Sequence, residues 1–165
     1  MRRQIGLMVA IVASVLAVVP AWAHVVVLPR ESEASGWERY TVITPTEKAS
    51  PTVRVRVVLP VGMEVVALGS KAGWKGVYKP FPVGAATVQW QAEAGAEGGR
   101  IPKGEFTSFE FLAWNPPAAR TVSWVATQWY EDETSDTWGG EGDPEHASTT
   151  VLRASKDPPK HHHKH

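Results

Sequence analysis

The chain has 165 residues, its 17 Lys and Arg balanced by 17 Asp and Glu, and it contains no cysteine and only three methionines. The even charge argues against nucleic acid or another polyanion as a partner, since such partners call for a basic face. Without cysteine there can be neither a disulfide framework nor thiolate metal chemistry, and so few methionines leave no thioether cluster for Cu(I).

The first 23 residues read as a secretory signal. Arg2 and Arg3 supply a positive start, Ile5 through Val19 an apolar stretch, and Ala21-Trp22-Ala23 a small-x-small cleavage site. Cutting after Ala23 leaves roughly 140 residues, the size of one domain. No second apolar run approaches the length of a bilayer span, so the mature chain is expected to lack a transmembrane anchor and to work in the periplasm or outside the cell. Processing also makes His24 the first residue. An amino-terminal histidine can chelate a metal through its α-amine and Nδ1, and the square-planar preference of Cu(II) for nitrogen and oxygen donors suits that ring. The plainer alternative is that cleavage exposes a histidine by chance.

After His24, short β-rich runs alternate with proline and glycine, and no run has helical periodicity. Strands are expected at Val25 to Leu28, Trp37 to Thr44, Thr52 to Leu59, Glu64 to Leu68, Trp74 to Tyr78, Thr87 to Gln91, Phe106 to Ala113, Thr121 to Tyr130 and Thr149 to Arg153. Turns fall at Leu59-Pro60-Val61-Gly62, Pro80 to Gly84, Ile101 to Gly104 and Asn115-Pro116-Pro117. Alternation sends Val53, Val55 and Val57 to one face and Arg54 and Arg56 to the other, and Phe109, Phe111 and Ala113 repeat the pattern. The fold class is therefore all-β, an immunoglobulin-like antiparallel β-sandwich. The Gly-, Ala- and Glu-rich stretch from Ala92 to Arg100 reads as a mobile hairpin loop. Trp90, Trp114 and Trp124 lie in or beside strand patterns and read as core. Trp138, between Ser135-Asp136-Thr137 and Gly139-Gly140, sits in a turn-like context where a large indole invites a functional reading.

The sequence resembles the YcnI-like copper-binding domains of bacterial exported proteins. The motifs carrying the resemblance run in order through Ala23-His24-Val25, Glu38-Arg39-Tyr40-Thr41-Val42, Pro45-Thr46-Glu47-Lys48, Leu59-Pro60-Val61-Gly62, Gly73-Trp74 and Val88-Gln89-Trp90. They continue through Ile101-Pro102-Lys103-Gly104-Glu105-Phe106, Phe109-Glu110-Phe111, Gln128-Trp129-Tyr130 and Trp138-Gly139-Gly140. The resemblance implies a sandwich over residues 24–155 that binds one Cu(II) through a brace with a single histidine. In it the amine and ring of His24 are joined by the Glu47 carboxylate and overlaid by Trp138, and Glu38 is a reserve oxygen donor. Trp138 would act from outside the coordination sphere, limiting exchange and excluding water. The chain departs from the family at Glu131-Asp132-Glu133, where an Asp-Gly turn is usual.

Residues 156–165 form a His-rich tail in which His161, His162, His163 and His165 bind divalent metals whatever their purpose. Three functions remain open. The first is a non-enzymatic Cu(II) buffer or metallochaperone whose partner is another exported copper carrier or a membrane copper transporter. The second is a copper-dependent oxidative enzyme of the polysaccharide monooxygenase type, which needs a second imidazole opposite the first; His146 is its only candidate outside the tail. The third is a metal-free interaction sandwich that uses aromatics such as Trp37 and Trp129.

Overall fold

A computed structural model describes residues 24–80 and 86–155. The signal, the His-rich tail and all of the Pro80 to Gly84 turn except Pro80 lie outside the described residues. The strands are β1 (Val26–Leu28), β2 (Glu31–Glu33), β3 (Trp37–Pro45), β4 (Thr52–Val58), β5 (Glu64–Leu68) and β6 (Trp74–Lys79). They continue with β7 (Thr87–Ala92), β8 (Phe106–Trp114), β9 (Arg120–Tyr130), β10 (Ser135–Trp138) and β11 (Ser148–Arg153), and a one-turn 3-10 helix at Pro144–His146 precedes β11. One sheet has the order β1-β3-β8-β5; the other runs β2-β11-β9-β4-β7-β6, with β10 also paired to β9. The expected all-β, immunoglobulin-like sandwich is the observed architecture.

The core lies between the sheets. Phe109, Phe111 and Ala113 of β8 face Val55 and Val57 of β4, Trp90 of β7 and Trp124 of β9, all of them buried. Trp90 stacks on Phe109 with ring centroids 4.9 Å apart, and Tyr40 contacts Phe111 at 5.2 Å and Trp124 at 4.9 Å. Each such ring withdraws a large apolar area from water, worth roughly 1.5–3 kcal/mol against leaving it exposed.

Several expectations are corrected. Val53 does not join Val55 and Val57 on the inner face, because a β-bulge between Thr52 and Arg54 breaks the alternation and turns Thr52 inward instead. Trp114 lies on the outer, half-buried face of β8 opposite the exposed Trp37, since the inward phase of that strand belongs to Phe109, Phe111 and Ala113. Trp129 lies under the guanidinium groups of Arg54 and Arg56, at 4.0 and 4.9 Å from its ring centroid. The 92–100 stretch is not a hairpin loop: β7 and β8 belong to different sheets, and the segment crosses between them. It is pinned by Trp74 Nε1, which donates to Gly98 O at 2.7 Å, and by Glu93 N, which donates to Gly73 O at 2.9 Å.

Two strands escape the apolar pattern. The side chains of β2 are polar, and it is held by parallel backbone pairing with β11 together with an Arg153 to Glu31 ion pair at 2.6 Å, so the sandwich is not wholly antiparallel. The other is β10, which makes Trp138 the last residue of a strand and not part of a turn. β11 pairs with residues 120–124 of β9, and β10 pairs with residues 126–129. Because β4 occupies the opposite edge of β9, β10 and β11 share one edge, and the chain between them must loop out from it.

Candidate metal centre

His24 precedes β1 by two residues. Since Val26 pairs with Ile43, continuing the antiparallel register sets His24 level with Pro45, where β3 ends. The next two residues are Thr46 and Glu47, so the loop that bears Glu47 leaves the sheet at the same end. The bulge on β4 matters here, because the inward Thr52 hydroxyl lies 2.6 Å from that of Thr46. Gln128, buried on β9, donates through Nε2 to Pro45 O at 2.9 Å and also hydrogen-bonds Thr52 Oγ1. These contacts anchor the base of the loop while Glu47 itself remains exposed.

The neighbouring carboxylates and cations are also ordered. Lys48 Nζ pairs with Asp136 at 2.9 Å and stands 4.4 Å over the Tyr130 ring, whose hydroxyl donates to the other Asp136 oxygen at 2.9 Å. Burial pushes the Tyr130 hydroxyl well above the usual phenol range; its bond to Asp136 and the negative charges of Asp136, Glu47 and Asp132 add to the rise. Glu47 is thus close enough for its charge to be felt at Tyr130.

Trp138 is 8 % exposed and belongs to the hydrophobic core, yet its ring centroid lies 6.0 Å from that of His24. One side of the indole therefore packs inward while the ring still reaches the histidine. Gly139 follows at φ +77°, where a Cβ would stand 2.4 Å from Trp124 O and 2.9 Å from Ala147 Cβ, so only glycine lets the chain turn away from β10 here. The loop then closes on itself through Gly139 N to Asp143 O and Asp143 N to Gly140 O, each 3.0 Å.

That turn brings in His146. Its ring centroid is 4.5 Å from that of His24, with the planes crossing at 64°, and its Nδ1 hydrogen-bonds Asp143 Oδ1. The two histidines meet because β1 docks against β11 through hydroxyl groups: Val27 N donates to Ser148 Oγ at 2.9 Å, Ser148 Oγ to Val27 O at 3.1 Å, and Thr150 Oγ1 to Pro29 O at 2.7 Å. Glu38 stands elsewhere. It lies seven residues before Pro45 along β3, about 23 Å at strand rise, where it accepts from Ser32 Oγ at 2.7 Å. The reserve oxygen donor is therefore remote from His24.

Of the residues anticipated at the site, the structure brings His24 and Trp138 together, sets Glu47 on the loop that leaves β3 level with His24 and places Glu38 toward the other end of β3. Gln128, Ser148 and Asp143 were not anticipated. Of these, Gln128 stood in one of the motifs of the resemblance, and Asp143 had a local signal, a carboxylate three residues before a histidine. Among the described residues, no three His, Cys, Asp or Glu side chains gather as a complete metal site. The donors that do meet are the imidazoles of His24 and His146, nitrogen ligands that suit copper. Two inward polar atoms at this end, Thr44 Oγ1 and Gln128 Oε1, have no hydrogen-bond partner among the described residues.

The family described as Domain of unknown function (DUF1775) matches residues 24–151, a match that begins at His24. The copper-binding protein CutI of Bacillus subtilis (strain 168) is 36% identical over 155 residues, covering 92% of this chain and 74% of CutI. Among solved structures, an uncharacterized protein from Nocardia farcinica with an immunoglobulin-like fold superimposes with a TM-score of 0.66 at 28% identity, over 79% of this chain and 98% of that one. With the family spanning the strands of the sandwich and a relative this similar covering most of the sequence, the chain belongs to the DUF1775 family, the YcnI-like group that its motifs resemble.

Proposed function

We propose that the chain is an exported Cu(II)-binding protein that buffers or delivers copper, holding the ion at His24 once residues 1–23 are removed. The observation that carries this reading is the meeting of the His24 and Trp138 rings, 6.0 Å apart, at the strand end from which the Glu47 loop departs. The copper-binding relative and the start of the family match at His24 support it. The converging side chains are too few to enclose a metal alone, and the α-amine of a chain beginning at His24 supplies the missing donor.

In this reading copper is cargo. The amine and Nδ1 of His24 chelate it, and the Glu47 carboxylate offsets its charge. Trp138, held by the core on its inner side, covers the ion and slows exchange with water. Another exported carrier or a membrane copper transporter would receive or supply the ion. Metal binding displaces the proton of the α-amine, which ordinarily titrates at about 7.7–8.0, so binding releases protons and weakens as pH falls below neutral.

The test is the position of the signal-peptide cut. A mature chain with one Gly added before His24, and with His161, His162, His163 and His165 replaced by Ala, should keep its fold and lose the tight Cu(II) site. Equal affinity with and without the added Gly overturns the brace. A second reading, the copper-dependent oxidative enzyme, takes its second imidazole from His146, although the 4.5 Å ring spacing is shorter than that of the opposed pair this chemistry needs. It predicts substrate oxidation when copper-loaded protein receives a reductant and oxygen.

A further inference from the structure

The geometry points to His146 as a further copper ligand, giving this chain a two-imidazole site in place of the single-histidine brace. The inference rests on the copper-binding reading above and concerns which atoms complete the site. Its first support is distance. A metal to imidazole bond of about 2.0–2.1 Å sets each ring centroid about 3.2 Å from the ion. Two imidazoles at right angles on one ion then have centroids about 4.5 Å apart, and two opposite ones about 6.4 Å. His24 and His146 stand at 4.5 Å, the spacing of neighbouring positions in a square plane.

The second support is the orientation of the ring. Asp143 Oδ1 accepts the Nδ1 proton of His146, which fixes the tautomer and leaves the Nε2 lone pair free for a metal. A carboxylate behind a histidine is the usual arrangement for a metal ligand, because it holds the ring and raises its basicity. His146 contributes little to packing: its side chain is 51% exposed, so the core gives no reason for its position. Instead the position follows from the Gly139 turn and the Val27 to Ser148 tether, which bring the loop to the start of β1.

Two imidazoles also change what the site can hold. A carboxylate is a hard donor that favours Cu(II), whereas imidazole serves both oxidation states. His146 therefore adds a nitrogen donor suited to copper in either state.

The experiment uses the processed chain with His161, His162, His163 and His165 replaced by Ala and loaded with one equivalent of Cu(II). Pulsed electron paramagnetic resonance counts coordinated imidazoles through the remote ring nitrogen of each. Two are expected in the parent and one in His146→Gln, with Cu(II) affinity about tenfold or more lower in the variant. Asp143→Asn should keep both imidazoles and weaken binding by about tenfold. One imidazole in the parent, or the same count in parent and His146→Gln, overturns the proposal while leaving the copper-binding reading intact. Failure of the parent to bind stoichiometric copper overturns both. If His146→Gln does not fold, the imidazole count of the parent alone decides.

Discussion

The two ends of the sandwich solve the same problem differently. At the Glu38 end, Tyr40 donates to Asn115 Oδ1 at 2.6 Å, and Asn115 donates to Ser32 Oγ and Glu33 O, both at 2.9 Å; Ser32 in turn donates to Glu38. Every member of that network has a partner. At the His24 end, Gln128 Oε1 and Thr44 Oγ1 lack one among the described residues, an indole is shared between core and surface, and two imidazoles meet edge to face. Closed networks rigidify a fold, whereas unspent donors and acceptors mark where a protein keeps capacity for something else. The contrast predicts that substitutions at the Glu38 end act on stability alone, while those at the His24 end also act on metal binding.

The largest effect should come from Gly139→Ala. A side chain at φ +77° is strained, and its Cβ would overlap Trp124 O, so a loss of about 3 kcal/mol in denaturant unfolding is expected. The loop that carries His146 must shift as well, so Cu(II) affinity should fall with stability. Unchanged affinity would mean that the loop is not part of the site.

Asn115→Ala tests the opposite end. It strips partners from the buried Tyr40 hydroxyl and from Glu33 O, and should cost about 2–3 kcal/mol while leaving Cu(II) affinity within twofold. An affinity loss that matched the loss of stability would erase the distinction between the ends.

The third prediction uses alkaline pH. Burial, with the Glu38 charge adding to it, pushes the Tyr40 hydroxyl up to about 12. The native state then holds its proton when the unfolded state has lost it, so this contribution is complete below about pH 10 and disappears as pH rises toward 12. Urea unfolding between pH 9 and 11.5 should show a decline on the order of 2 kcal/mol, shared with Tyr130, whose hydroxyl is also raised. Tyr40→Phe should flatten part of that decline.

The smallest effect on stability should be Glu47→Gln. Its exposed side chain supports no packing, so unfolding should be unchanged, whereas Cu(II) affinity should drop about tenfold, or about 1.4 kcal/mol. If titration calorimetry of the variant matches the parent, another oxygen completes the site.

The difference between the ends was only partly legible in the sequence. Most strands were readable from β-branched and aromatic runs between Pro and Gly punctuation, and the inward phase of β8 followed from Phe109, Phe111 and Ala113. β2 and β10 were not, because backbone pairing holds them and their polar residues carry no periodic signal. Val53 misled for a related reason, since a bulge changes register without changing composition.

His24 could be singled out locally, as a histidine behind a cleavage site, and Trp138 by its turn-like context, whereas Glu47 stood out only through the family resemblance, since an exposed glutamate beside Lys48 carries no signal of its own. By itself the sequence determined the all-β class, the donor types at hand and the exclusion of sulfur chemistry. Only the tertiary structure decided that Glu38 lies at the wrong end and that His146 lies beside His24. Val27 and Ser148, which join those two segments, are 121 positions apart and are linked by one hydroxyl group, and Gly139 sets the turn by what it lacks. Periodicity and spacing report on a chain's neighbours along its length; the meeting of β1 with β11 follows from packing two sheets around one core, which no local pattern encodes.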